Sequence, residues 1–181
     1  MALTRILIAF VGLLGLMTAV AAQEQPRNDD SDMTAERIHA LVERIDAEAQ
    51  RQENFWQFSL KERIVMIVID TEADRMRIIS PIVKNEDVPI EIYTRMLQAN
   101  FDSALDARYA IANEIIWGAY IHPLRSLTDE ELLSGIAQVV TVADTFGTTY
   151  SSGALIYGGG DSNEEIDKLY QELMDLLNPV I

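Results

Sequence analysis

No cysteine occurs among the 181 residues, so neither a disulfide nor a cysteine-linked lipid can hold this chain, and its stability must come from its core. Histidine is almost as scarce, and the two present, His39 and His122, form no H-x-x-x-H or H-E-x-x-H pair. That removes the common zinc motifs. Basic residues are few as well: 14 Lys and Arg stand against 29 Asp and Glu, a net charge of −15. Such a surface repels phosphate backbones and anionic lipid, which argues against nucleic acid as a partner. The one long uncharged apolar stretch, Ile6 to Ala22, is shorter than the ~20 residues a membrane span needs.

That stretch has another reading. Arg5, the apolar run Ile6 to Met17 and the small residues of Ala19-Val20-Ala21 make a secretory signal peptide over residues 1–22. Cleavage after Ala21 or Ala22 removes Arg5 and leaves 13 − 29 = −16 on a mature chain of one domain. The expected location is periplasmic or secreted, with no stable membrane anchor. Residues 23–33 (QEQPRNDDSDM) are mostly polar and contain Pro26, so they read as a flexible linker.

The fold begins behind this tether. Ile38, Leu41, Val42 and Ile45 recur at helical spacing, with Asp32 or Thr34 available as the cap. Strands follow at Phe55 to Leu60, Ile64 to Ile69 and Met76 to Ile82, with turns at Lys61-Glu62 and in DTEAD. The middle strand, IVMIVI, is apolar at every position, which is how a strand reads when both faces of its sheet are covered.

The helix expected over Val88 to Phe101 bears on that second face. Ile90, Tyr93, Leu97 and Phe101 fall on one stripe, suited to the helix's own sheet; Val88, Ile92, Met96 and Ala99 fall almost opposite. The second stripe is expected to meet a symmetry mate, so Val88, Ile92, Met96 and Ala99 are the candidate dimer interface. A helix of the same chain is the competing cover.

A further hairpin spans Tyr109 to Ala112 and Ile115 to Ile121, turning at Asn113-Glu114. In LTDEEL, Thr128 and Glu131 have the spacing of a capping box and Leu127 with Leu132 that of a hydrophobic staple, so a helix starts there and runs toward Gly147. Ser162 and Glu165 repeat the capping spacing before Ile166, Leu169, Tyr170, Leu173 and Leu177. The expected class is α+β: an antiparallel meander sheet with helices in the order α-βββ-α-ββ-α plus an extra C-terminal helix. Residues 34–157 form the domain, and 158–181 a Gly-rich hinge with the last helix.

LQANFD followed by ARYAIANEIIWGAYIHPLRSLTDEELLSGIAQVVTVAD resembles the YbjN-type family, which shares the Tir-chaperone-like α+β fold with type III secretion chaperones. The resemblance covers roughly residues 34–150, and Asn100, Arg108, Leu127, Thr128 and Leu132 match positions that shape that fold. It implies a dimeric binding module without catalytic residues or cofactors. The leader and the helix after Gly160 stand outside it.

Chemical sites are poorly supported. Ser80, Ser151 and Ser152 lack a G-x-S-x-G frame, and YGGGDSNEE has no lysine to make a phosphate cradle. Asp161, Asn163, Glu165 and Glu172 match a calcium-loop register, but Ile166 stands where the turn needs glycine. No catalytic residue, metal site or cofactor is expected. The preferred function is an exported, non-enzymatic, chaperone-like protein that engages a polypeptide partner as a homodimer. The alternatives are an envelope-associated structural or interaction protein docking through its last helix, and a periplasmic enzyme with an unrecognised site of spatially assembled carboxylates.

Overall fold

The structure, a computed structural model, describes residues 32–102, 105–146 and 163–177. The expected signal peptide, most of the expected linker and the expected Gly-rich hinge lie outside the described residues. Among the described residues four α-helices and six strands follow in the order α1 (Ala35–Ile45), β1 (Gln50–Gln52), β2 (Phe55–Leu60), β3 (Arg63–Asp70), β4 (Arg75–Lys84), α2 (Ile90–Asp102), β5 (Arg108–Ala112), β6 (Ile115–His122), α3 (Asp129–Asp144) and α4 (Asn163–Leu177). The strands form one antiparallel sheet in the order β1-β2-β3-β4-β6-β5. This is the expected α+β order with its added last helix. The short strand β1 is an addition to it.

The two-residue connections read from the sequence are tight turns in the left-handed region. Lys61 and Glu62 have φ of 48° and 64°, and Asn113 and Glu114 of 50° and 61°. Two successive positive φ values match the right-handed twist of the flanking strands, so the hairpins are set by turn geometry even without glycine.

Strand β4 does not stop at its proline. It continues to Lys84 through a register shift between Pro81 and Val83. Pairing with β3 reaches only to Ile79, so β6 is the recorded partner of the remaining stretch and a residue with no N–H is tolerated there.

The core lies on one face of the sheet. Trp56, Phe58, Val65, Ile67, Ile69, Met76, Ile78 and Tyr120 are buried there against α3, α1 and α4. Helix α3 is buried almost all round, from Leu132 to Ala143, because the sheet lies on one side of it and α4 on the other. Close approach to the sheet needs small residues. A Cβ on Gly135 would stand 2.8 Å from two ring carbons of Tyr120, and one on Gly118 only 3.1 Å from the Val139 carbonyl oxygen.

Local signals hold the helix ends. Thr34 Oγ1 caps α1 by accepting from Arg37 N, and Met33, at the end of the expected linker, is already buried. At α3 both halves of the capping box are made: Thr128 Oγ1 accepts from Glu131 N at 3.1 Å, and Glu131 Oε2 from Thr128 N at 2.8 Å. Leu127 and Leu132 are buried beside it, as the staple requires.

Helix α4 belongs to the core rather than to a partner. Ile166, Leu169 and Leu173 are buried in the same cluster, Lys61 Nζ lies 2.8 Å from Glu172 Oε2, and the Arg44 guanidinium donates to the last carbonyls of α4, Leu176 O and Leu177 O. A cation on the C-terminal carbonyls of a helix satisfies acceptors that have no intrahelical donor. The docking role considered for this helix therefore loses its apolar face.

Candidate functional site

Strand β3 carries the question posed by its composition. Val65, Ile67 and Ile69 point into the core; Ile64, Met66 and Val68 point to the outer face. Both faces are apolar, yet the helices α1, α3 and α4 all pack on the first. On the outer face Ile64 is 44% exposed, Val68 38% and, on β6, Ile121 58%. Cross-strand register places Phe55 opposite Val68, Met66 opposite Ile79, Pro81 opposite Trp117 and Arg77 between Val68 and Ile121. The apolar ones among these side chains form a floor across β2, β3, β4 and β6, with Arg77 set within it and Gln57 and Ser59 beside it on β2.

Trp117 shapes one side of that floor. It is half-buried, and its Nε1 donates to Ala112 O at 2.9 Å, which turns the indole across the end of β5. By contrast Trp56 and Phe58 point inward and are core.

Helix α2 runs at the β5 edge. Asn100 Oδ1 accepts from Tyr109 N at 2.7 Å and its Nδ2 donates to Tyr109 O at 3.2 Å, so the amide acts as a one-residue extension of the sheet. Tyr93 Oη donates to Asn85 O at 2.8 Å at the other end of the helix. The two apolar stripes of α2 lie the other way round from the sequence reading. Met96, nominated for the dimer interface, is 4% exposed, and its neighbours Val88, Ile92 and Ala99 are half-buried. The open stripe is Ile90, Leu97 and Phe101, with Leu97 at 70%. Two strands separate β3 from β5, about 14 Å at the usual strand spacing, so the β3 part of the open face lies away from the α2 edge, while its β6 part adjoins it.

The chemistry-bearing residues do not assemble. His39 Nε2 lies 3.5 Å from Glu43 on its own helix, while His122 Nδ1 is 2.8 Å from Pro123 O and its Nε2 3.9 Å from Glu131. Burial, with Asp106 and Glu131 adding, pushes the Tyr120 phenol up to about 12 and keeps it neutral. Ser80 is fully buried beneath α3, and Glu165 and Glu172 lie along α4, the latter paired with Lys61. Among the described residues no three His, Asp or Glu side chains come together as metal ligands. Asp161, Ser151, Ser152 and Ser162 lie outside the described residues. Within them, no helix is long and apolar enough to cross a membrane.

No family model and no curated protein matches this chain. Solved structures do. A chain of the ExsC–ExsE complex aligns at a TM-score of 0.52 and 13% identity, over 67% of this chain and 99% of that one. A chain of the HopA1–SchA chaperone–effector complex aligns at 0.44 and 10%, over 53% and 77%. A chain from the structure of the Yersinia pestis type III secretion chaperone SycH with a fragment of YscM2 aligns at 0.43 and 16%, over 59% and 97%. This chain shares its fold with the aligned chain of the ExsC–ExsE complex.

Proposed function

We propose that the protein is a non-enzymatic, chaperone-like binding protein that holds a polypeptide partner on the outer face of its sheet. It works as a homodimer through α2, and acts outside the cytoplasm after losing residues 1–22. The observation that carries the reading is the open apolar face of β2, β3, β4 and β6, a surface that water penalises and that no capping helix of the core layer reaches. The same fold recurs in a chain solved as part of the ExsC–ExsE complex, which supports partner binding as a use of this scaffold. The signal-peptide pattern of residues 1–22 supports export.

Magnitudes require the whole floor to take part. Full burial of an aliphatic side chain contributes ~1.5–3 kcal/mol, so Ile64, Val68 and Ile121 together barely offset an association cost on the order of 4–15 kcal/mol. Phe55, Met66, Ile79 and Trp117 supply the rest.

The test is selection of random displayed peptides against the folded protein lacking residues 1–22, repeated with Ile121→Asp. Enrichment of binders that are lost on Ile121→Asp supports the reading. Failure to enrich any peptide, or binders indifferent to Ile121→Asp, overturns it.

A further inference from the structure

The outer face carries the opposite charge to the rest of the molecule. Its strand positions, read from the cross-strand register, hold four cations, Arg75, Arg77, Lys84 and Arg108, and one carboxylate, Asp70, a local balance of 4 − 1 = +3. The chain as a whole has 14 basic and 29 acidic residues, so acidic side chains are depleted where the apolar floor is open. Lys84 has a partner in Glu86 at 3.7 Å, and Arg75 donates to the Asp74 carbonyl. Arg77 is different. It is exposed, lies between Val68 and Ile121 across the strands and next but one to Ile79, and its guanidinium makes no hydrogen bond or ion pair among the described residues.

We propose that this face selects a polypeptide segment in which acidic and aliphatic residues are interleaved, with Arg77 as the carboxylate anchor in the middle of the apolar floor. The inference rests on the polypeptide-binding reading and adds the partner's chemistry to it. A planar guanidinium with unused donors gives a carboxylate two parallel hydrogen bonds, and the aliphatic surroundings lower the local dielectric once a partner covers them. The acidic remainder of the surface repels the same partner, so an acidic segment is held only where the floor compensates it. Arg77 is therefore a specificity residue as well as a contact. A second copy of this chain, net −15, or an anionic lipid surface are the other occupants that a basic apolar face could take.

The probes are two amphipathic synthetic peptides with the same aliphatic spacing, one carrying glutamates and the other lysines at the interleaved positions. Binding is read by isothermal titration against the protein lacking residues 1–22. The glutamate peptide should bind about tenfold more tightly or better, the worth of one charge-assisted hydrogen-bonded pair. Arg77→Glu should remove that preference or invert it. Arg77→Met should abolish the preference while retaining binding through the floor. Lys168→Glu, on the exposed side of α4, changes net charge equally and should leave the preference intact.

Equal binding of both peptides, or equal effects of Arg77→Glu and Lys168→Glu, overturns the selection. If Ile121→Asp nonetheless removes both, the docking reading survives and only the charge inference falls. Anionic phosphatidylserine vesicles bound through Arg77 with the glutamate peptide ignored would make this a membrane face and overturn the proposal. A dimer split by Arg77→Glu would make the occupant a second copy, with the same consequence.

Discussion

Asn100 and Tyr109 are joined by two hydrogen bonds that treat one side-chain amide as if it were a neighbouring strand. The amide accepts from Tyr109 N at 2.7 Å and donates to Tyr109 O at 3.2 Å. Edge residue Tyr109 has its backbone groups satisfied, and α2 is fixed to the sheet by the same contact. Tyr109 also reaches α3, its Oη donating to Val142 O at 2.9 Å, so the residue links α2, the sheet and α3.

Asn100→Ala should therefore cost ~1–3 kcal/mol, the range for leaving partly buried backbone groups without partners. Asn100→Asp is the sharper variant, because it keeps the acceptor for Tyr109 N and turns the donor into a second acceptor facing Tyr109 O. Denaturant melts of both, with hydrogen exchange at Tyr109, check this. Unchanged exchange at Tyr109 would mean that the amide does not anchor α2.

The capping box of α3 predicts a loss of ~1 kcal/mol for Thr128→Ala. Its hydroxyl accepts from Glu131 N, and the helix it starts is the buried centre of the molecule. The effect should appear in the urea midpoint with the slope unchanged, since the same surface unfolds. A loss well under ~0.5 kcal/mol would show that the staple of Leu127 and Leu132 alone starts the helix.

Glu62 sits at φ 64° in the β2–β3 turn, a conformation that side chains resist and glycine accepts. Glu62→Gly should raise the melting temperature, even though glycine gives the unfolded chain more freedom. A lowered melting temperature would show that the unfolded-state term dominates at this turn.

Two half-buried aspartates give the pH dependence its sign. Asp46 is held below the usual carboxylate range by the N–H groups of Ser59 and Glu48, and Asp74 by the N–H of Arg125 followed by its guanidinium. A depressed folded pKa means that the unfolded chain binds more protons in the interval between the two values, so stability rises with pH there. It is present above the ordinary aspartate value of about 3.9 and is lost as pH falls through the depressed folded values. Urea midpoints from about pH 5 down to about pH 2.5 should fall, and should fall less in Asp74→Asn. An identical slope in that variant would remove Asp74 from the account.

What was legible in the sequence was local. Thr128, Glu131, Leu127 and Leu132 lie within six residues of one another and specify a helix start without help from the rest of the chain. Pairing without apolar residues was not legible: β1 is Gln-Arg-Gln and joins the sheet through its backbone, with Arg51 lying 5.2 Å from the Trp56 ring. The unpatterned run in β3 established that both faces are apolar, which is a weaker statement than that both are covered by this chain. The basic outer face depends on β4 pairing with β6 across the sequence of α2 and β5, so composition shows only an acidic protein. On α2 both stripes are apolar, and periodicity cannot say which one turns inward.

That ambiguity on α2 sets the prediction for the homodimer. A charge at a buried position must desolvate without a partner and costs several kcal/mol wherever it is placed, whereas a charge on an open stripe costs little unless another subunit covers it. Met96 is buried and Ile92 half-buried beside it, so Ile92→Glu should destabilise the fold of each subunit. Leu97 is open, on the stripe shared with Ile90 and Phe101, so Leu97→Glu should leave the circular dichroism melt unchanged and shift sedimentation from dimer to monomer. The stripe repeats on both copies of an isologous pair, so one substitution places two carboxylates in the same seam. If Leu97→Glu sediments as the unmodified protein does while Ile92→Glu dissociates without loss of structure, the interface is the inward stripe and the α2 orientation described here does not persist in the dimer. If the unmodified protein lacking residues 1–22 is a monomer at tens of micromolar, α2 is not a dimer interface and its open stripe needs another cover.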